Sequence, residues 1–206
     1  MFEKVLDKKR KKLLPLFSFL KKDFYLAGGT GLSLILGHRK SYDFDFFSEK
    51  KFDERNLFEK ILSLAKNHKV IKSLSDKSSL FLVFDNEVNV NFLFYKYPLI
   101  KPLIKTKFLN IASLEDILCM KLLVVTERIE FKDYVDLYYG LKKVKLKQIV
   151  NLFNKKISDV DINFIFKELL DFSEIEEEPI DFMPSKRVDL STIKNFLIKE
   201  IRKIYL

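Results

Sequence analysis

Hydrophobic and polar positions fall into three regimes along the chain: a basic start, an alternating middle and a helical end. Leu13, Leu14, Leu16, Phe17, Phe19 and Leu20 stand among eight Lys or Arg residues in the first 22 positions, which predicts one or two basic helices interrupted near Pro15. Phe24 to Ala27 is a short apolar strand that stops at Gly28-Gly29, and Thr30 to Leu36 reads as a helix ended by Gly37. Asp43 to Phe47 alternates acidic and aromatic residues, the period of a strand with one polar and one buried face. Asp53 is placed to cap a helix running to about Asn67, with Leu57, Phe58, Ile61, Leu62 and Ala65 inward. Strands follow near 69–74, 79–85 and 88–95, the last two joined by a tight turn around Asn86. Beyond the loop Pro98 to Pro102, every remaining periodic segment reads as helix. Ser113-x-x-Asp116 has the shape of a capping box and opens a helix to about Arg128. Further helices cover Phe131 to Leu141 and roughly 145–156, 159–172 and 190–204, the last two separated by an acidic stretch, Asp171 to Asp181. The order predicts an α+β fold, with a mixed β-sheet and helices over residues 1–110 and a helical bundle over residues 111–206.

Composition narrows the class. With 206 residues, 48% of them hydrophobic, the chain can bury a core without disulfides or metals. A formal charge of +9 favours an anionic partner and leaves nucleic acid, nucleotide and acidic membrane all open. The single Cys119 excludes an internal disulfide framework, and no apolar segment with a small-residue cleavage site opens the chain, so a reducing cytoplasm is expected. The longest hydrophobic run is the five residues Leu80 to Phe84, far below the ~18 a membrane span requires.

Two features carry candidate chemistry. Gly28-Gly29-Thr30 at a strand-to-helix junction exposes backbone N–H groups at the positive end of a helix, which suits a phosphate; a Gly-Gly turn also serves plain chain reversal. Asp43 and Asp45, two apart on a strand, point to one side. Paired carboxylates repel, and Mg²⁺ is a common reason to tolerate them, while a solvated acidic edge is the other reading.

The combination is more specific than its parts. Hydrophobic-Gly-Gly-Thr, twelve residues, then Asp-hydrophobic-Asp resembles the signature of the DNA polymerase β-like nucleotidyltransferase superfamily. The fuller string, Leu26 to Leu34 through Gly37-His38-Arg39 to Ser41-Tyr42-Asp43-Phe44-Asp45-Phe46-Phe47, resembles the AbiEii family within it, toxins of type IV toxin–antitoxin and abortive-infection systems related to the MenT toxins. Ala112 to Asp116, Lys121-Leu122, Arg128 and Lys132-Asp133-Tyr134-Val135-Asp136 resemble that family's helical motif of a Lys, an Arg and an acidic pair.

The resemblance implies a nucleotidyltransferase core over 1–110 and a helical domain over 111–206 that supplies a Lys and an Asp. It implies that Gly28, Gly29 and the Thr30 hydroxyl hold the phosphates of an NTP and that Asp43 and Asp45 bind Mg²⁺. Lys121 is then the cation near the leaving pyrophosphate, Asp136 orients the attacking hydroxyl or holds Lys121, Arg39 meets triphosphate or substrate, and Arg128 reaches a phosphate or one of the carboxylates Asp133 and Asp136. Snorkelling of Lys121 to solvent and a surface salt bridge at Arg128 are the plainer readings. The acceptor implied is RNA, most of all a tRNA acceptor end, and a protein antitoxin is the implied partner. Transfer to a small aminated compound or a protein, and a non-catalytic nucleotide-binding role, stand as alternatives. One position departs from the superfamily: its usual third carboxylate is replaced by Asn91, which puts the general base or a second metal in question, with Asp85 and Glu87 as the nearby substitutes. No pattern in the chain fixes the preferred nucleotide or an oligomeric state.

Overall fold

The computed structural model describes residues 1–206. Helix α1 (Lys8–Leu13) starts where the Asp7 carboxylate accepts from the Arg10 amide. It ends before Pro15, whose ring and missing N–H forbid a further α-turn, so the chain tightens into a 3-10 run over Leu14–Lys22. There follow β1 (Tyr25–Leu26), α2 (Gly28–Leu36), β2 (Phe44–Ser48), α3 (Glu54–Leu64), β3 (Val70–Asp76), β4 (Ser79–Phe84) and β5 (Val88–Phe94). Next come β6 (Ile104–Lys105) and β7 (Asn110–Ile111), then α4 (Leu114–Val124), α5 (Phe131–Leu141), α6 (Leu146–Lys156), α7 (Ile162–Leu170) and α8 (Leu190–Tyr205).

The strands form one mixed sheet of seven, in the order β3-β4-β5-β2-β1-β7-β6. Strand β2 runs parallel to β5 and antiparallel to β1, while β1 is parallel to β7. The strands β6 and β7 correct the reading of all periodic segments beyond Pro102 as helical: two residues each are too few to show a period, and Leu26 rather than their own pattern recruits Ile111 to the sheet. Helix α4 also stops at Val124 instead of near Arg128, because the Thr126 hydroxyl donates to the Leu123 carbonyl and closes the last turn.

Two apolar cores flank the sheet's working end. Phe44 and Phe46 on β2 pack edge-on to Phe17, with centroids 5.1 and 5.0 Å away, and Phe46 stacks on Phe92 of β5. The other core lies among the helices, around Leu122, Tyr134, Leu137, Phe153 and Leu197. Helix α4 belongs to both: Ile117 and Met120 face the sheet while Leu118, Cys119 and Leu122 face the helices. Hence its sequence is apolar on every side, as a helix enclosed by protein must be. Gly140 of α5 lets that helix approach α4, since a Cβ there would sit 2.3 Å from Leu118 Cδ2. No helix is long and apolar enough to cross a membrane.

Asp116 joins the two halves. Buried in the first turn of α4, it accepts from the Ile100 and Lys101 amides at 3.0 Å, from the Ser113 hydroxyl at 2.8 Å and from Lys156 Nζ on α6 at 2.7 Å. Lys156 also donates to the Pro98 carbonyl, so one ion pair ties the crossover loop to two helices. Removing one partner of such a pair strands the other. Lys156→Met is expected to lower unfolding free energy by about 3–5 kcal/mol in urea titrations; stability equal to the parent chain would show that the clamp carries no weight.

Candidate active site

Strand β1 delivers the chain to Gly28 and Gly29 at the start of α2, and both glycines are dictated by neighbours. Gly28 has φ +61°, and a Cβ there would lie 2.7 Å from Asp45 Oδ2; a Cβ on Gly29 would lie 2.5 Å from an Arg39 guanidinium nitrogen. The turn therefore presses its backbone against a carboxylate and a cation. Thr30 is turned inward: its hydroxyl donates to the Asp43 carbonyl and lies 2.7 Å from Ser41 Oγ, which braces the approach to β2 rather than facing the cleft.

Asp43 sits immediately before β2 and Asp45 within it, both directed toward β5. There Asn89 Nδ2 donates to Asp43 Oδ1 at 3.0 Å, and Asn91 Nδ2 donates to Asp45 Oδ1 at 2.8 Å. The parallel register that sets Asp45 opposite Asn91 makes the pairing possible. Each carboxylate thus has one oxygen fixed by an amide and the other without a protein donor. Burial lifts the Asp45 carboxyl above the ordinary carboxylate range; the Asn91 amide opposes this and the Asp43 charge adds to it. Nowhere are three or more His, Cys, Asp or Glu gathered as a metal cage. Two oxygen donors with spare lone pairs fit Mg²⁺, which takes one or two carboxylates and completes its shell with water and phosphate. Asp85 and Glu87 are engaged elsewhere, with His68 and Lys9, and do not join the pair.

Behind the turn lies a chain of buried charges. Asp136 Oδ1 receives Arg39 Nε at 2.8 Å and lies 2.7 Å from His38 Nε2, while Oδ2 receives Arg39 Nη2 at 2.9 Å and Lys121 Nζ at 2.7 Å. Lys121 also bonds Asp133, which receives Arg128 Nε at 3.0 Å. Burial alone would raise Asp136, yet the Arg39 and Lys121 charges hold it well below the carboxylate range. Burial likewise opposes the charge on Lys121, and Asp136 and Asp133 overcome it. Arg39 and Asp136 are buried, so Arg39 is bound to Asp136 instead of facing a substrate, and Lys121, buried as well, does not snorkel to the surface but borders a cleft. Arg128 alone among these cations keeps a half-exposed side chain.

A cleft of about 350 Å³ opens in front of this network. Gly28, Gly29, Asp45, Lys121 and Arg128 line its polar end; Phe47, Tyr95, Met120, Leu123 and Val124 line its apolar end. A volume and mixed lining of this kind suit a small-molecule ligand. Asp43 is outside the lining, two residues before Asp45 on the same side of the strand, and Thr30, Arg39 and Asp136 lie behind the cleft. No role for Asn89 is read from the sequence, and Asp133, which the sequence leaves as a helix cap or a partner of Lys132, instead bonds Lys121 and Arg128. The Asn-x-Asn alternation matching Asp-x-Asp was the available signal.

A model of the family described as nucleotidyl transferase AbiEii toxin, type IV TA system, matches residues 13–200. An uncharacterized protein of Aquifex aeolicus, aq_aa25, is 37% identical over 162 residues, 76% of this chain and 77% of its own. Among solved structures, MenT4, a nucleotidyltransferase toxin from Mycobacterium tuberculosis H37Rv, superposes with a TM-score of 0.60 at 14% identity, covering 92% of this chain and 80% of that one. The antibiotic-resistance factor ANT(2'')-Ia superposes at 0.55 and 13% identity over 74% of this chain and 94% of its own.

The buried network has a stability signature. Asp136→Asn leaves Arg39, Lys121 and His38 a charge short and is expected to cost about 3–5 kcal/mol at neutral pH. Because the Asp136 pKa is depressed on folding, its stabilisation is present above the unfolded value of about 3.9 and is lost as pH falls below it. Urea midpoints taken from pH 5 down to pH 2 should therefore fall more steeply for the parent chain than for Asp136→Asn; parallel curves would contradict the assignment.

Proposed function

The chain belongs to the AbiEii nucleotidyl transferase toxin family of type IV toxin–antitoxin systems, and from that premise we propose an Mg²⁺-dependent enzyme that moves a nucleotide from an NTP to RNA, most of all to the acceptor end of tRNA. The observation that carries this reading is that the glycine turn, Asp45 and the cations Lys121 and Arg128 line one cleft, with Asp43 and Asp45 each held by an asparagine amide.

The division of labour follows from the contacts. Backbone N–H groups at Gly28 and Gly29 and the start of α2 receive phosphate oxygens. Asp43 and Asp45 hold Mg²⁺ with their unpaired oxygens, and the ion supplies charge neutralisation on the phosphates. Arg39, Lys121 and Arg128 meet Asp136, Asp133 and, on Arg128 at 3.2 Å, Glu130, so the network is balanced in charge. Lys121 and the half-exposed Arg128 face the departing pyrophosphate, formed when an acceptor hydroxyl attacks the α-phosphorus, its proton passes to water and the bond to the β-phosphate oxygen breaks. Asp136 acts through Lys121 and Arg39 rather than by touching substrate. Asn91, in place of a third carboxylate, holds Asp45 in one rotamer, so the site works with two acidic ligands. The apolar end of the cleft takes the base. An antitoxin is the partner that goes with the family, and the reducing cytoplasm is the compartment that fits one buried thiol, Cys119.

A second reading rests on the groove beside Tyr42, lined by Glu177, Glu178 and Asp181, whose acidity would suit a small cationic acceptor. Incubation with each labelled NTP, Mg²⁺ and total tRNA separates the readings. Label should appear on tRNA and vanish in Asp45→Asn and Lys121→Ala. Label found only on protein or on an added polyamine moves the acceptor, and NTP binding with no transfer anywhere would sink catalysis. Asn91→Ala should keep the fold while raising the Mg²⁺ needed for half-maximal transfer on the order of 10-fold, the usual scale for a lost support of a metal ligand; an unchanged Mg²⁺ titration would remove Asn91 from that role.

A further inference from the structure

A second hollow, of about 410 Å³, lies at the other end of β2 and takes no part in the chemistry above. We propose that it binds the sugar–phosphate backbone of the RNA acceptor, a reading that rests on RNA being the acceptor. Five lysines line it: Lys21 and Lys22 from the end of the 3-10 run, Lys50 and Lys51 from the turn after β2, and Lys60 from α3. None of the five has a carboxylate partner, whereas Lys9, Lys96, Lys132, Lys156 and Lys203 all do. The two carboxylates of the lining do not cancel them. Glu49 is engaged by the Leu99 amide at 2.7 Å, and five cations against two anions leave a surplus of three.

Chemistry other than charge also fits a strand of nucleic acid. Phe19 and Phe52 are half-buried in the hollow, and the Lys60 ammonium stands 5.1 Å over the Phe19 ring. Aromatic faces between lysines are how sequence-tolerant binding of single strands is built. Lys21 is held by the Thr106 carbonyl at 2.8 Å, which fixes one charge in place while Lys22, Lys50, Lys51 and Lys60 stay exposed. One lysine of the hollow touches the cleft wall: Lys51 lies 5.9 Å over the ring of Phe94. From Asp45 to Ser48 is three residues of strand, roughly 10 Å, and their side chains point to opposite faces of the sheet, so a bound strand would pass round the end of β2 between hollow and aspartates. A concave site of this size receives a strand and not a planar lipid surface. The other lysine-lined hollow, at Lys101, Lys145 and Lys147, has no aromatic lining and serves as an internal comparison.

The test uses the full chain with fluorescein-labelled tRNA, read by anisotropy across a salt series. The triple variant Lys22→Ala, Lys50→Ala, Lys51→Ala should bind tRNA at least about 10-fold more weakly at 0.1 M salt, with the slope of log K against log salt smaller by about 2–3, the value for three lost phosphate contacts. Its thermal midpoint and its binding of labelled NTP should match the parent. The charge-matched triple variant at Lys101, Lys145 and Lys147 should keep parental tRNA affinity. Undiminished tRNA binding in the first variant, or an equal loss in the second, overturns the assignment of this hollow alone. A parent chain that binds NTP but no RNA overturns the acceptor reading and the hollow with it.

Discussion

Two buried carboxylates on one face of α5 hold three cations from separate parts of the chain, two of them buried and the third half-exposed. Asp133 and Asp136 are three residues apart, so the helix sets them side by side, and Arg39, Lys121 and Arg128 converge on them. Burying an unpaired charge is costly enough to decide a fold, so this convergence fixes how the sheet half meets the helical half. The positions of Gly29 against Arg39 and of the cleft's cationic wall follow from it.

Much of this was legible in the residues. The glycine turn, the alternating Asp-Phe strand and the Lys121 to Asp136 helical stretch each carry a local period or spacing, and the structure brings Gly28, Gly29, Asp45, Lys121 and Arg128 to one cleft. What local pattern does not contain is direction. Arg39 reads as a contact to triphosphate or substrate, yet it is folded beneath the turn because Asp136, ninety-seven positions later, lies there. Thr30 reads as a phosphate ligand and faces inward for a similar reason, since Ser41 and Asp43 bend back over α2. The strands β6 and β7 escaped because two residues have no period.

The asparagines show how one substitution changes a site's logic without emptying it. A carboxylate at position 91 would add a third negative charge beside Asp45, whose carboxyl is already lifted by burial. An amide instead donates, and Asn89 repeats the arrangement one period away for Asp43. The pair trades ligand charge for ligand order. The same economy appears at Asp116, where backbone amides and Lys156 leave the carboxylate no freedom.

The split origin of the charge network has a consequence for synthesis. The first 110 residues emerge with the glycine turn and both aspartates but with Arg39 lacking its counter-ion, and Lys121 follows before Asp133 and Asp136 exist. A nascent chain that ends before α5 therefore has two cations it cannot bury and no finished cleft. The charge network, and with it the cationic wall of the cleft, is complete only once α5 has been made, nearly two thirds of the way along the chain.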